Sequence, residues 1–166
     1  ESMEKTRTHK INTAWGSPSD CIYEGLLGIK KILFLRRHGG ITKYPPHKIN
    51  YRANIAALEI LGATSIIGTA AVGGIDIDVG RILVPDQLID YTHSRESTFF
   101  EGGLGPLKHI DFTHPYNCEL RSKIIRAASS KSIKVITSGI STRWASVCRI
   151  SRSISNTPRI ISIVRT

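Results

Sequence analysis

Lys31-Ile32-Leu33-Phe34-Leu35-Arg36, followed by Arg37-His38-Gly39-Gly40, decides how the chain is organised. Residues 31–36 are a short apolar run that stops at a cationic pair and two glycines, the pattern of a buried strand ending in a loop. Pro45-Pro46 then bars a helix upstream, whereas Tyr51, Ile55, Leu58 and Leu61 recur at helical spacing with Gly62 placed to cap the C-terminus. The spacing predicts a helix from about Asn50 to Leu61. Thr64–Val72, rich in Ile and Ala and closed by Gly73-Gly74, reads as a second buried strand, and Arg81–Ile89 as a third. Strand, helix and strand with glycines after both strands is the pattern of an α/β protein.

Beyond this unit, residues 90–115 read as a long loop carrying Gly102-Gly103 and Gly105-Pro106, a length usually kept for lids or interface arms. Asn117 can cap a helix in which Leu120, Ile124 and Ala127-Ala128 share a face, and Lys131–Thr137 resembles a strand. Residues 138–166 hold seven serines, five arginines and no acid, with neither period 2 nor period 3.6 sustained.

At 166 residues and 40% hydrophobic composition the chain can bury about 68–70% of its unfolded surface. It is no collagen, coiled coil or disordered polymer. No run reaches the roughly 18 apolar residues of a membrane span, and Glu1–Lys10 lacks the apolar centre of a signal peptide, so a cytoplasmic location without membrane partners is expected. Cys21, Cys118 and Cys148 are widely spaced without a CxxC pair, which argues against a disulfide framework or structural zinc. The net charge of +10 is unevenly placed. Residues 1–119 hold 13 Lys/Arg against 13 Asp/Glu, whereas residues 120–166 hold ten Lys/Arg and no acid. A basic tail is one route to nucleic acid, but only one aromatic, Trp144, accompanies its arginines and no recognition module is present, so stacking readout is thin.

Several cofactor signatures are absent. Gly102–Gly105 lacks GxGxxG spacing and no glycine cluster is followed by GK[ST], which excludes the dinucleotide and P-loop fingerprints. Asp76-x-Asp78-x-Gly80 hints at a calcium loop, but its twelfth position is Gln87 where a bidentate Glu is needed. His114 and Cys118 are separated by Pro115 and are two ligands at most. The Arg37-His38-Gly39 turn is different. An Arg offers a bidentate fork to phosphate or carboxylate, and a glycine admits the anion to the backbone; equally, the cluster could be a solvated strand end. Thr69–Gly74 either exposes amide donors to an anion or only turns the chain. On neighbouring parallel strands the two loops would face one crevice and favour an anionic ligand.

Arg37-His38-Gly39, Pro45–Asn54 (PPHKINYRAN) and Thr69–Gly74 together resemble the purine nucleoside phosphorylases, nearest the 5′-methylthioadenosine and methylthioinosine group. Trp15–Asp20 (WGSPSD), Asp86–Asp90 (DQLID), Thr98–Gly102, and His109–Phe112 with Pro115-Tyr116 extend the similarity, which runs from about residue 6 to 137. The resemblance implies a partial nucleoside-phosphorylase-like central sheet flanked by helices over residues 1–137, followed by an irregular basic tail over 138–166. It implies a pentosyltransferase of purine salvage in which inorganic phosphate cleaves the N-glycosidic bond. The purine nucleoside and phosphate would be its partners, with no metal or organic cofactor and a homotrimeric assembly if the chain is complete. Arg37 and His38 would bind phosphate, with backbone contacts from Ala70 and Ala71. His109 would reach a neighbour's substrate pocket across the interface.

The pattern is incomplete. The family's GGSG- or GGTG-like phosphate loop does not precede Arg37, and no GPRxET, MT or base-binding Asp/Asn segment can be read after Thr137. The loss of acids, periodicity and motif at one place suggests an out-of-frame or replaced C-terminus. Three functions follow: an active phosphorylase, a truncated inactive relative, or, with least support, a nucleic-acid binder through the tail. The missing first strand predicts an open sheet edge and a poorly packed tail.

Overall fold

The computed structural model describes residues 4–41, 43–93, 95–96, 98–99, 101–102, 109–142 and 159–165. The chain forms two compact units, one of Glu1–Ala63 with Arg95–Phe99 and one of Thr64–Ser94 with Phe100–Thr166.

In the first unit, β1 (Glu4–His9), β2 (Ile22–Leu27) and β3 (Lys30–Phe34) form an antiparallel sheet in the order β1-β2-β3. The turn between β2 and β3 is only Gly28-Ile29, with Gly28 at φ +60°, where an L side chain is strained. That hairpin reverses the chain and makes β3 an antiparallel neighbour of β2, Tyr23 opposite Phe34. The run from Lys31 is therefore half-exposed rather than buried. A single 3₁₀ turn, Pro46–Lys48, leads into α1 (Tyr51–Ile60). Asn50 caps α1 by accepting from the Ala53 N–H at 3.0 Å, and its Nδ2 donates to the Trp15 carbonyl at 2.7 Å. One residue thus starts the helix and ties down a loop 35 residues away. Gly62, at φ +81°, closes the other end by donating to the Glu59 carbonyl, while the Ala63 N–H returns to Leu58.

In the second unit, β4 (Ser65–Ala71), β5 (Ile82–Leu83), β6 (Gln87–Ile89), α2 (Cys118–Ser130), β7 (Val135–Ile136), β8 (Ile140–Thr142) and β9 (Arg159–Arg165) form two sheets, ordered β4-β9-β5-β7 and β6-β8. The expected strand 81–89 is split, because Pro85 has no N–H for a ladder. Arg121 of α2 donates to the freed Val84 and Pro85 carbonyls at 3.3 and 3.2 Å. The Val84 and Asp86 N–H groups reach across to Ile136 and Gly139. Val84 and Tyr116 form a buried cluster against which Leu88, Leu120, Ile124, Ile125 and Val135 pack. Asn117 caps α2 through the Leu120 N–H, as expected.

Two expectations change. β3 and β4 belong to different sheets, so the loops after them are not on neighbouring parallel strands. Each is instead the last strand of its sheet among the described residues. The tail is also not irregular throughout. Ile140–Thr142 pairs with β6, and Arg159–Arg165 pairs in parallel with β4 over seven residues. Its β-branched run, Ile160-Ile161 and Ile163-Val164, is near-continuously apolar, and the strand lies between β4 and β5. Residues 143–158, with Trp144 and three of the tail's arginines, lie outside the described residues. No helix among the described residues is long and apolar enough to cross a membrane, and no three His, Cys, Asp or Glu side chains among them gather to hold a metal.

Candidate anion-binding site

The two adjacent arginines after β3 have different surroundings. The Arg36 Nε donates to Asp20 Oδ2 at 2.6 Å and its Nη2 donates to the Tyr23 hydroxyl at 2.7 Å, with the guanidinium 5.2 Å from the Tyr23 ring centre. The Asp20 hydrogen bond, reinforced by charge attraction and opposed by partial burial, raises the Arg36 pKa beyond its ordinary range. Arg36 is a fixed structural cation. Arg37, half-buried in the turn, has no hydrogen-bond or ion-pair partner among the described residues.

His38 is held from both sides of its backbone and ring. Its carbonyl accepts from the Tyr44 N–H at 2.9 Å, and its Nδ1 lies 2.9 Å from the Tyr44 carbonyl. A carbonyl can only accept, so Nδ1 carries the proton, and Nε2 makes no hydrogen bond among the described residues. Neutral, Nε2 accepts from a protonated phosphate oxygen; protonated, it donates to an anion. Gly39 is buried at φ +76°, and a Cβ there would lie 3.0 Å from Lys43 Cβ and 3.1 Å from the Ser19 carbonyl oxygen. Only glycine fits this approach. The Ser19 N–H donates in turn to Asn54 Oδ1 at 2.7 Å, and Asn54 Nδ2 donates to Ser19 Oγ at 3.0 Å, both residues being buried. A connected set from α1 through Ser19 and Asp20 to Arg36 therefore fixes the turn that displays Arg37 and His38.

The Pro45–Asn54 segment is held by a second arginine that the sequence reading did not single out. Arg95 lies 4.6 Å from the Tyr51 ring centre with Nη1 3.5 Å from the Pro46 carbonyl, while its buried Nη2 has no partner. Asp20 and Tyr23 are 16 and 13 residues from Arg36, and Arg95 is 49 residues from Pro46, so no local spacing reports these contacts. The one available signal was that Asp20 closes the WGSPSD segment.

Ala70 and Ala71 end β4 in the second unit, Ala70 buried and Ala71 exposed. Gly73 follows, with nothing within 4 Å of a Cβ built on it. The site residues thus divide, Arg37 and His38 in the first unit and Ala70 and Ala71 in the second. His109 is exposed in the second unit.

Comparison with known proteins agrees with the α/β fold and identifies the family. The family model described as the phosphorylase superfamily matches residues 1–144, and the chain belongs to this family. The probable S-methyl-5′-thioinosine phosphorylase of Xanthomonas campestris is 45% identical over 139 residues, covering 82% of this chain and 56% of that protein. The S-methyl-5′-thioadenosine phosphorylase of Hyperthermus butylicus is 45% identical over 80% of this chain and 48% of its own. Among solved structures, methylthioadenosine phosphorylase from Schistosoma mansoni in complex with adenine superimposes with a TM-score of 0.81 at 26% identity, covering 98% of this chain and 75% of that one. The chain spans about half the length of the curated relatives it matches.

Proposed function

We propose that this chain carries the phosphate-binding elements of a purine nucleoside phosphorylase acting on 5′-methylthio nucleosides. Phosphate attacks C1′ of the nucleoside, the N-glycosidic bond breaks, and the free purine leaves with 5-methylthioribose 1-phosphate as the other product. The observation that carries the reading is the division of labour at 36–38: Arg36 is consumed by Asp20 and Tyr23, while Arg37 and His38 Nε2 are left to an anion. The family membership and the names of the relatives support it.

The sugar passes through an oxocarbenium-like state, as in other glycosyl transfers. A phosphate dianion held under the sugar both supplies the nucleophile and sits opposite the developing positive charge. Arg37 would grip two phosphate oxygens with its planar fork. His38, its ring orientation fixed through Nδ1, would take a third. By the resemblance, Ala70 and Ala71 would offer main-chain contacts to phosphate at the end of β4. Phosphate is itself the second substrate, so the reading calls for no metal or organic cofactor. His109 would meet a neighbouring subunit's substrate in a homotrimer, and the protein would work in the cytoplasm.

Release of free purine from methylthioadenosine, methylthioinosine and inosine in the presence of phosphate tests the reading, and inosine separates a 5′-methylthio preference from a general one. A loss of about 1.5–3 kcal/mol on removing a charged hydrogen-bonding partner predicts that Arg37→Gln weakens phosphate binding roughly ten- to a hundredfold. Binding unaffected by Arg37→Gln would refute the assignment. A second reading, an inactive relative, is favoured by the departure from the family pattern after Thr137, and it predicts phosphate binding without purine release.

A further inference from the structure

Residues 95–99 are part of the first unit, although the chain on either side of them belongs to the second. Three side chains fasten this segment. Phe99 meets Trp15 edge-on, with the ring centres 4.8 Å apart and the planes at 85°. Arg52 of α1 donates from Nη1 to the Thr98 carbonyl at 3.4 Å and has Nη2 3.6 Å from the Glu96 carboxylate. Arg95 places its guanidinium over the Tyr51 ring, 4.6 Å from the centre. Its Nη1 reaches only the Pro46 carbonyl, at 3.5 Å, and its buried Nη2 has no acceptor. Glu96, the carboxylate next to it in sequence, pairs with Arg52 instead. A buried N–H without an acceptor lowers stability, and a ring face compensates a guanidinium only in part. Arg95 therefore adds little net stability, and its effect is on geometry.

The ring that Arg95 covers is itself an anchor. Tyr51 is buried at the head of α1, and its hydroxyl donates to the Pro46 carbonyl at 3.1 Å, the same oxygen that Arg95 Nη1 approaches. Pro46 is joined to Tyr44 through Pro45, which sits at φ −66° and ψ 160°. Both prolines have φ locked by their rings, and a residue before proline is confined to extended backbone. The link from Pro46 back to Tyr44 is therefore stiff. Tyr44 in turn makes both of the bonds that hold His38, its N–H donating to the His38 carbonyl and its own carbonyl accepting from Nδ1, each at 2.9 Å. A continuous set of contacts thus runs from Arg95 through Tyr51, Pro46 and Tyr44 to the imidazole, all of it inside the first unit.

We propose that Arg95 is a positioning residue for His38: stacked on Tyr51, it fixes the ring whose hydroxyl anchors the Pro45-Pro46 link, and so keeps the Tyr44 carbonyl where it holds the imidazole in its Nδ1–H form. The proposal rests on the phosphorylase reading for what His38 binds, while the link from Arg95 to the imidazole stands on the contacts alone. Arginine suits the position because a planar guanidinium can lie over a ring and still direct an N–H at a carbonyl beside it.

The test compares the full chain with Arg95→Met, Arg95→Lys and Tyr51→Phe. Met replaces the cation with an apolar chain, Lys keeps a cation over the ring, and Phe keeps the ring and removes only the hydroxyl that holds Pro46. Nitrogen-15 NMR of histidine-labelled protein at about pH 8.5, above the ordinary imidazole range, reads the His38 tautomer, with His38→Gln identifying its signals. Calorimetry reads the affinity for inorganic phosphate. The unmodified chain is expected to show His38 in the Nδ1–H form. Arg95→Met and Tyr51→Phe should shift it toward the Nε2–H form and weaken phosphate binding about three- to tenfold, the range of one lost hydrogen bond. Arg95→Lys should recover most of both. A purely structural role predicts instead a lower Tm for Arg95→Met with tautomer and affinity unchanged. Should Arg95→Met fail to fold by circular dichroism, Tyr51→Phe and Arg95→Lys carry the comparison. A folded Arg95→Met or Tyr51→Phe with His38 still in the Nδ1–H form, or with phosphate affinity within twofold of the unmodified chain, overturns the proposal and leaves the phosphorylase reading standing. An unmodified chain that binds no phosphate overturns the phosphorylase reading, and the tautomer comparison then decides the positioning role by itself.

Discussion

Replacing Gly39 by Ala tests whether the turn displaying Arg37 and His38 is built by close approach. Two costs follow from the geometry. At φ +76° an L residue pays about 1–2 kcal/mol for left-handed backbone. The new Cβ would also lie 3.0 Å from Lys43 Cβ, 3.1 Å from the Ser19 carbonyl oxygen and 3.2 Å from Tyr44 Cδ2, and crowding of this kind costs about 1–3 kcal/mol. Ser19 cannot withdraw freely, because Asn54 holds its N–H at 2.7 Å. The sum for Gly39→Ala is about 2–5 kcal/mol. Gly28→Ala is the internal control, since Gly28 has φ +60° and nothing within 4 Å of its added Cβ, so it incurs the backbone cost alone. Both variants share the unfolded-state gain of about 0.4–1 kcal/mol from losing a glycine, which cancels in the comparison. Urea unfolding followed by far-ultraviolet circular dichroism should therefore place Gly39→Ala about 1–3 kcal/mol below Gly28→Ala. The phosphate affinity should fall only for Gly39→Ala, whose strain sits beside Arg37 and His38. Equal destabilisation by the two substitutions would refute the argument that contact with Ser19, Lys43 and Tyr44 requires glycine.

Asn54→Ala leaves the buried Ser19 N–H without its acceptor and Ser19 Oγ without its donor, and should cost about 2–3 kcal/mol in the same urea assay; a loss under about 0.5 kcal/mol would show that the pair is dispensable. Glu24 accepts from His9 at 2.8 Å and pairs with Lys31 at 3.3 Å. The His9 hydrogen bond, aided by Lys31 against a smaller desolvation effect, holds its carboxyl below the usual value of 4.5. A depressed folded-state pKa stabilises the protein above that value and is lost as pH falls through it. Glu24→Gln should therefore lower Tm near neutral pH and flatten the fall of Tm below about pH 4.5, and an acid limb of unchanged slope would contradict this.

Local features of the fold were readable where local chemistry determines them. Asn50 and Gly62 bracket α1 because an amide at the N-cap and a glycine in left-handed backbone act within one turn of the helix. Asn117 does the same for α2. What the sequence concealed was set by partners distant along the chain. The run from Lys31 is apolar enough to be a buried strand, yet the two-residue turn at Gly28-Ile29 commits it to a half-exposed antiparallel hairpin. Pro85 marks the break between β5 and β6, but only the Arg121 side chain, 36 residues on, explains how the broken ladder is tolerated. The tail strand escaped notice because its sequence, RIISIVR, shows no sustained apolar–polar alternation.

The same contrast governs the site. Arg36 and Arg37 are chemically identical and adjacent, and the sequence reading assigns phosphate to Arg37 without a physical reason to set Arg36 apart. Their functions separate only when Asp20 and Tyr23 arrive from β2 and the segment before it and satisfy one guanidinium. An arginine already holding a carboxylate has little left for a dianion, whereas its unsatisfied neighbour has its whole fork to offer. Asp20 occupies Arg36 and holds the turn, so it acts on the site through Arg36 without contacting the anion.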